Sequence, residues 1–336
     1  MKTLAVLLPT YNAAVYLPTA LNSLLEQTFS DFEVYVYDDC STDNTAEVVA
    51  DFKDSRIHYI KNTENLGIAK TLNLGLALLQ DSYEFIARMD ADDWCYPERF
   101  EKQLHYLRHH PEIVLCGTQG YWVSDFEFTP KRGWTVPEFN EMLRVNLLFA
   151  ASFGHSSVIF RSQALKQHAL CYDETIKTCE DWALWSRIVQ LGKVGNLPDF
   201  LMKYRVLPRS NHRSKTNEKL HLFERSRIIA QHWDSFGVKL SPEDVFDFYY
   251  QTGEKILRQN VLDGLKKMII IFNKLYAEVA QWHHVDKVKL RYKLVRFLIS
   301  YYNRKGEPKV VFQIWMVMLR KIKFATKFQV FKQLIK

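Results

Sequence analysis

Along the first 120 residues, short apolar runs alternate with amphipathic stretches. "LAVLLPT", "FEVYVYDD", "RIHYIKN" and "YEFIARMD" are rich in β-branched, aromatic and leucine residues and stop at turn formers or acids, as strands do. Between them, "VYLPTALNSLLEQ" repeats Leu17, Leu21, Leu24 and Leu25 at helical spacing. Ala46, Val49 and Ala50 share one face of a further helix that Thr42 or Asp43 can cap. Strand and helix in alternation predict parallel strands joined by crossover helices, an α/β sheet. Ligands of such sheets lie beyond the carboxyl ends of the strands. Here those ends read Pro9-Thr10-Tyr11-Asn12, Asp38-Asp39 and Asp90-Ala91-Asp92-Asp93, so three polar clusters are expected on one edge.

From about residue 112 to 215 the pattern is mixed. "IVLCGTQGYWV" and "HSSVIFRS" read as strands, while "EDWALWSRIVQLG" places Trp182, Trp185, Ile188 and Val189 on one helical face that Gly192 can end. The polar, turn-rich "YRVLPRSNHRSKTNEK" marks a border, which predicts one domain over residues 1–215 and a helical region over 216–336. There are no internal repeats and no low-complexity tract.

Composition narrows the class. The 336 residues are 47% apolar and 25% charged, an ordinary globular balance. Five scattered cysteines without a CxxC spacing speak against a disulfide framework or a zinc site and fit a reducing compartment. The apolar run of "MKTLAVLLPT" stops at Pro9, too short for a secretory signal, and no window is long enough to span a membrane; the expected location is the cytoplasm. Net charge is +7 but unevenly placed: −5 over residues 1–215, zero over 216–284 and +12 over 285–336.

"DADD" allows a bland account, a solvated turn in which Asp93 caps a helix beginning near Pro97. Capping uses one carboxylate and leaves Asp90 and Asp92. Their i, i+2 spacing at a strand end lets both reach one point, and hard oxygen ligands of this kind suit Mn²⁺ or Mg²⁺ beside a diphosphate. A nicotinamide dehydrogenase would need a Gly-rich first turn, and "LPTYNAAV" has no glycine. A sugar-nucleotide pyrophosphorylase would need a Gly-rich, basic loop, and "PTYNAA" is neither. The rival of another class is a non-enzymatic binder of nucleic acid or another anionic surface, using the basic tail; the net acidic α/β part speaks against a nucleic-acid partner.

Five ordered blocks over residues 3–207 carry a family likeness: "LLPTYNAAVYLPTALNSLLEQTFSDFEVYVYDDCSTDNT", "NTENLGIAKTLNLGL", "FIARMDADD", "GHSSVIFR" and "YDETIKTCEDWALWSRI" running on to "LPDFLMKYRV". The chain resembles the family 2 glycosyltransferases, and most of all bacterial lipooligosaccharide transferases that add β-linked N-acetylhexosamine or hexose. The resemblance implies a GT-A fold, a Rossmann-like, mixed, mostly parallel sheet with helices on both faces, followed by a smaller helical region. It implies inverting transfer of one sugar from a UDP-sugar (GlcNAc, GalNAc, Gal or Glc) to a glycan acceptor, lipid-linked, in lipooligosaccharide, lipopolysaccharide or capsule synthesis.

The same likeness implies roles. Pro9 and Tyr11 cradle the uracil and Asp39 accepts a hydrogen bond from its imide, whereas Asp38 is structural. Asp90 faces the ribose or the metal's waters, and Asp92 binds the Mn²⁺ or Mg²⁺. Asp181 of "TCEDW" is the general base, with Glu180 as runner-up or supporting partner; His155 and Trp182 line the acceptor pocket, the tryptophan by stacking on a sugar ring, with packing in the core as the alternative for Trp182. An acid at this place is also welcome for the helix dipole alone. Three positions depart from the family: Cys40 replaces a usual glycine, which puts the turn after Asp39 in question, Leu72 an arginine and Leu207 a histidine. Lys70 and His212 are the nearest substitutes for the last two, with solvated side chains the plainer account. The QxxRW element of processive synthases is missing, hence one sugar per encounter.

In the tail, Trp315, Leu319, Ile322, Phe328, Phe331 and Ile335 recur at near-helical spacing beside a basic stripe of Arg320, Lys323 and Lys327. Such a helix suits the plane of an anionic membrane surface, which predicts a peripheral enzyme on the inner face of the membrane. Packing of its apolar side on the catalytic domain is the alternative.

Overall fold

A computed structural model describes residues 1–124, 132–148, 150–206 and 215–236, with positions 239, 241–243 and 245–246. The chain divides into two compact units, Met1–Ile228 and Ile229–Lys336. The amphipathic tail lies outside the described residues, as do Leu207 and His212. No helix among the described residues is long and apolar enough to cross a membrane.

The first unit is built on one nine-stranded sheet in the order β3-β2-β1-β4-β8-β6-β9-β5, with β7 paired to β6. The four predicted strands form as β1 (Lys2–Thr10), β2 (Phe32–Asp38), β3 (Ile57–Lys61) and β4 (Tyr83–Arg88), all parallel. Antiparallel β8 (Ile159–Arg161) joins β4 to β6 (Ile113–Val123), and β9 (Lys193–Arg205) runs parallel to β6. Two reversals restore the original direction, so β6 and β9 end on the same edge as β1, β2 and β4. Short β5 (Trp94–Cys95) and β7 (Arg132–Trp134) complete the sheet.

Central β1 is apolar almost throughout because both of its faces are covered. Leu4, Val6 and Leu8 join a core with Leu17, Leu21 and Leu24 of α1 (Leu17–Leu25) and Phe100, Leu104 and Leu107 of α4 (Arg99–His109). Leu7 points the other way, onto α3 (Ile68–Leu79), where a Cβ on Gly75 would sit 2.3 Å from Leu7 Cδ1. Glycine is thus required for helix and sheet to approach this closely.

Three local expectations change. α2 (Thr45–Asp51) begins after Asn44, and Asp43 caps it from one residue further out, accepting the Thr45 N–H at 3.1 Å; Ala50 is exposed. "HSS" is a 3₁₀ turn, His155–Ser157, leading into β8 rather than the start of a strand. Gly192 does end α7 (Glu180–Leu191), but in an extended conformation; the residue is small because Val114 packs 2.7 Å from where its Cβ would lie.

Candidate active site

The three expected clusters do meet at one edge. Beyond β1, Tyr11 is 52% exposed, and Asn12 turns left-handed (φ 48°) so that its Oδ1 accepts the Thr42 N–H at 2.8 Å. Asp38 faces inward, accepting from the Ser41 N–H (2.8 Å), the Ser41 hydroxyl (2.6 Å) and the Tyr59 hydroxyl. Asp39 accepts from Asn62 Nδ2 (2.9 Å) and from the Leu66 and Gly67 N–H groups (both 2.8 Å), where the chain enters α3. Directly after them Cys40 keeps a left-handed backbone, φ 65°. The turn therefore retains the conformation a glycine would adopt freely, at some conformational cost.

Beyond β4, carboxylate oxygens of Asp90, Asp92 and Asp93 all lie within 4.8 Å of one another. Three full charges so close would repel by about 3 kcal/mol per pair at an effective dielectric near 20. Part of this is met by protein. Buried Arg88 pairs with Asp90, and the Ser156 hydroxyl stands between Asp90 (3.0 Å) and Asp93 while accepting from Arg88 Nη1 at 2.9 Å. Arg205, at the end of β9, donates its N–H to Asp93 at 3.0 Å and its Nε–H to the Asp92 carbonyl at 3.1 Å. Burial and the two neighbouring acids hold the Asp93 carboxyl well above the usual range. Burial and Asp90 push Asp92 up to about 6. Asp93 does not cap a helix: α4 begins at Arg99 with Glu98 before it, and the Asp93 side chain is consumed by Ser156 and Arg205 instead.

The second acid pair opens α7. Burial, then Asp181, pushes Glu180 up to about 8, while burial raises Asp181 against the Trp182 N–H, which donates to its Oδ1 at 2.6 Å. Arg88 and Asp90 act on both groups, so the two acid clusters share one electrostatic environment. His155 connects them: it precedes Ser156, its Nδ1 lies 4.0 Å from Glu180 Oε1, and Nε2 is 2.8 Å from the Tyr172 hydroxyl. Burial and Arg88 hold the imidazole well below its usual pKa, so it is neutral.

Trp182 takes a place other than the one its residue type suggests. It is 5% exposed, donates its indole N–H to the Leu147 carbonyl at 3.2 Å and has Arg225 over its ring at 4.7 Å. As it stands, it offers no open face to a sugar. Leu72 is fully buried and Lys70 exposed.

Sequence reading missed four side chains that build the site: Arg88, Ser156, Arg205 and Glu224. Arg88 carried a signal, a lone charge inside a buried strand just before the acids. Glu224 carried none. It lies in α8 (Lys215–Asp234), and its buried carboxylate accepts the Lys177 N–H (2.8 Å), the Thr178 N–H (2.9 Å) and the Thr178 hydroxyl (2.6 Å), fixing the loop that leads into Glu180 and Asp181.

An open α/β sheet with carboxylates gathered at its carboxyl edge is built to hold a ligand beyond its strand ends. Residues 5–167 match the model of glycosyl transferase family 2. An uncharacterized glycosyltransferase of Haemophilus influenzae is 31% identical over 293 residues, 84% of this chain and 81% of that protein. The UDP-Glc:alpha-D-GlcNAc-diphosphoundecaprenol beta-1,3-glucosyltransferase WfaP of Escherichia coli is 29% identical, over 74% of this chain and 93% of its own. Among solved structures, S. aureus TarS 1–349 in complex with UDP-GlcNAc superposes with a TM-score of 0.58 at 19% identity, covering 96% of this chain and 93% of that one. The chain belongs to glycosyltransferase family 2, with the GT-A fold, and is a glycosyltransferase.

Proposed function

We propose that the protein transfers a single sugar from a UDP-sugar to a hydroxyl of a glycan acceptor, with inversion at the anomeric carbon and with a divalent cation. The observation that carries this is the meeting, at one sheet edge, of an open aromatic turn (Tyr11), a buried carboxylate (Asp39), an oxygen-rich acid cluster and the Glu180–Asp181 pair. WfaP is named for a UDP-Glc donor and a diphosphoundecaprenol-linked acceptor, and the TarS structure holds UDP-GlcNAc; both favour a UDP-sugar here.

Pro9 and Tyr11 form the wall for the base, and Asp39 lies behind it as the acceptor for the uracil imide. Asp92 and Asp90 would hold Mn²⁺ or Mg²⁺: hard oxygens converge, and burial together with the charge of Asp90 raises the Asp92 carboxyl, a cost that a cation would relieve. Once bound, the cation would neutralise charge on the departing diphosphate. Asp93 is set aside for scaffolding by Ser156 and Arg205.

At the other side Asp181 takes the proton of the attacking hydroxyl. The Trp182 N–H favours its charged form, while Glu180, pushed up to about 8, keeps the pair's proton at neutral pH. Such a base contributes typically 10²–10⁴-fold. His155, neutral and linked to Tyr172, borders the acceptor side of the pair. The basic tail then brings the enzyme to an anionic membrane surface where a lipid-linked acceptor resides, in the building of lipooligosaccharide, lipopolysaccharide or capsule. The test is UDP release across a panel of UDP-sugars with Mn²⁺: release from at least one that rises with a glycan acceptor is expected, and none with any donor overturns the assignment.

A further inference from the structure

Two of the strands that end at this edge carry an aromatic residue at their last position but one. In β6 it is Trp122 and in β9 Tyr204, and the two are register partners. β7 adds Trp134. The Trp122 ring centre lies 5.2 Å from that of Trp134 and 5.0 Å from that of Tyr204, with 6.3 Å between the last two. Room for Trp134 is made by two glycines: a Cβ at Gly120 would fall 2.2 Å from its ring and one at Gly154 3.0 Å. Trp122 is 41% exposed, while Trp134 and Tyr204 beneath it are half-buried.

The trio adjoins residues linked to each of the two acid groups. Tyr204 precedes Arg205, which ties down Asp92 and Asp93, and burial together with Asp90, Asp93 and Asp92 raises its hydroxyl, keeping it a donor. Trp134 packs on Gly154, the neighbour of His155, which in turn lies 4.0 Å from Glu180. Single exposed apolar side chains are ordinary on protein surfaces. Here the exposed ring packs against two others, one of which adjoins Arg205 and the other Gly154.

We propose that Trp122, seated on Trp134 and Tyr204, is the platform on which a pyranose ring of the acceptor stacks. This rests on the transferase reading and moves the acceptor platform from buried Trp182 to the ends of β6 and β9. A pyranose has an apolar C–H face and a rim of hydroxyls, which suits an aromatic face with a hydroxyl donor beside it.

The experiment uses the full chain labelled with 5-fluorotryptophan, the Trp122 signal being identified by its loss in Trp122→Phe. Methyl β-D-glucopyranoside, methyl β-D-galactopyranoside and methyl N-acetyl-β-D-glucosaminide are titrated in with UDP and Mn²⁺ present. At least one should shift the Trp122 signal. For a glycoside that does and is turned over, Trp122→Ala should raise its KM by about tenfold, the size of an aromatic contact, with Trp122→Phe retaining most of the affinity and the UDP-sugar KM following wild type. A Trp122 signal that no glycoside moves, or an acceptor KM indifferent to Trp122→Ala, overturns the platform. Absence of UDP release from every UDP-sugar would sink the transferase reading instead, and the titration still judges the platform.

Discussion

Replacing Glu224 by alanine removes the carboxylate that receives the Lys177 and Thr178 amides and the Thr178 hydroxyl. Hydrogen bonds to a charged acceptor contribute about 1.5–3 kcal/mol each, and a buried donor left unmatched costs about 1–3 kcal/mol. Lys177 is exposed, so water can replace part of its bond, whereas Thr178 is half-buried. The expected net loss is about 2–4 kcal/mol, read as a midpoint shift in urea unfolding with unchanged slope. Glu224→Gln keeps one oxygen but turns an amide NH₂ towards a donor, and should lose roughly half as much. The effect should also reach the chemistry. The clamped loop leads directly into Glu180 and Asp181, and a misplacement of about 1 Å can cost 10²-fold. Turnover should therefore fall at least about tenfold in Glu224→Ala with the UDP-sugar KM unchanged. Stability within about 0.5 kcal/mol of wild type, a surface-like response, would refute the clamp. A stability loss with turnover intact would leave it a fold contact only.

Asp92→Asn should abolish Mn²⁺-dependent UDP binding, measured by calorimetry with and without the metal, while leaving thermal unfolding intact; full activity, or activity indifferent to a chelator, would remove the metal. Asp181→Asn should still bind UDP but lose about 10²-fold or more in transfer; a dead Glu180→Gln beside a healthy Asp181→Asn would reverse the two roles. Because Glu180 is pushed from an ordinary value of 4.5 up to about 8, the folded state holds its proton longer than the unfolded one. Stability should thus decline as pH rises from about 4.5 to 8, and unfolding in a chelator should show a flatter profile for Glu180→Gln; equal slopes would mean that the carboxyl is not raised. Co-sedimentation should favour anionic over neutral liposomes for the full chain and lose that preference when the chain is truncated after Lys309, whereas equal binding to both, or no loss on truncation, would leave the tail a structural element.

The fold was legible in the first 120 residues because the central strands β1 and β4 are buried almost throughout and the helices beside them bury one face, so periodicity and burial largely agree there. Legibility fell where they part. β8 has three residues, and the 3₁₀ turn before it shares its composition with a strand. The acids announced themselves as charge at strand ends, but what each acid does depends on partners far along the chain. Asp93 reads as a cap until Ser156 and Arg205 are seen beside it. Trp182 reads as a sugar platform until Arg225 and the Leu147 carbonyl cover it. Glu224 has no local pattern, since its meaning lies in two backbone amides 46 and 47 residues earlier.

The bond from the Arg205 amide to Asp93 joins residues 112 apart. Asp93 is made within the first third of the chain but acquires this partner only when β9 is laid down. Contacts of such separation form late and slow folding, and a chain emerging from the ribosome builds its N-terminal part first. A nascent chain halted before β9 therefore holds three crowded carboxylates braced by Arg88 and Ser156 but not yet by Arg205. Synthesis itself imposes an order on this enzyme: the edge formed by β1 and β2 can take shape early, while the acid centre closes only after residue 205 has left the exit tunnel and found its place.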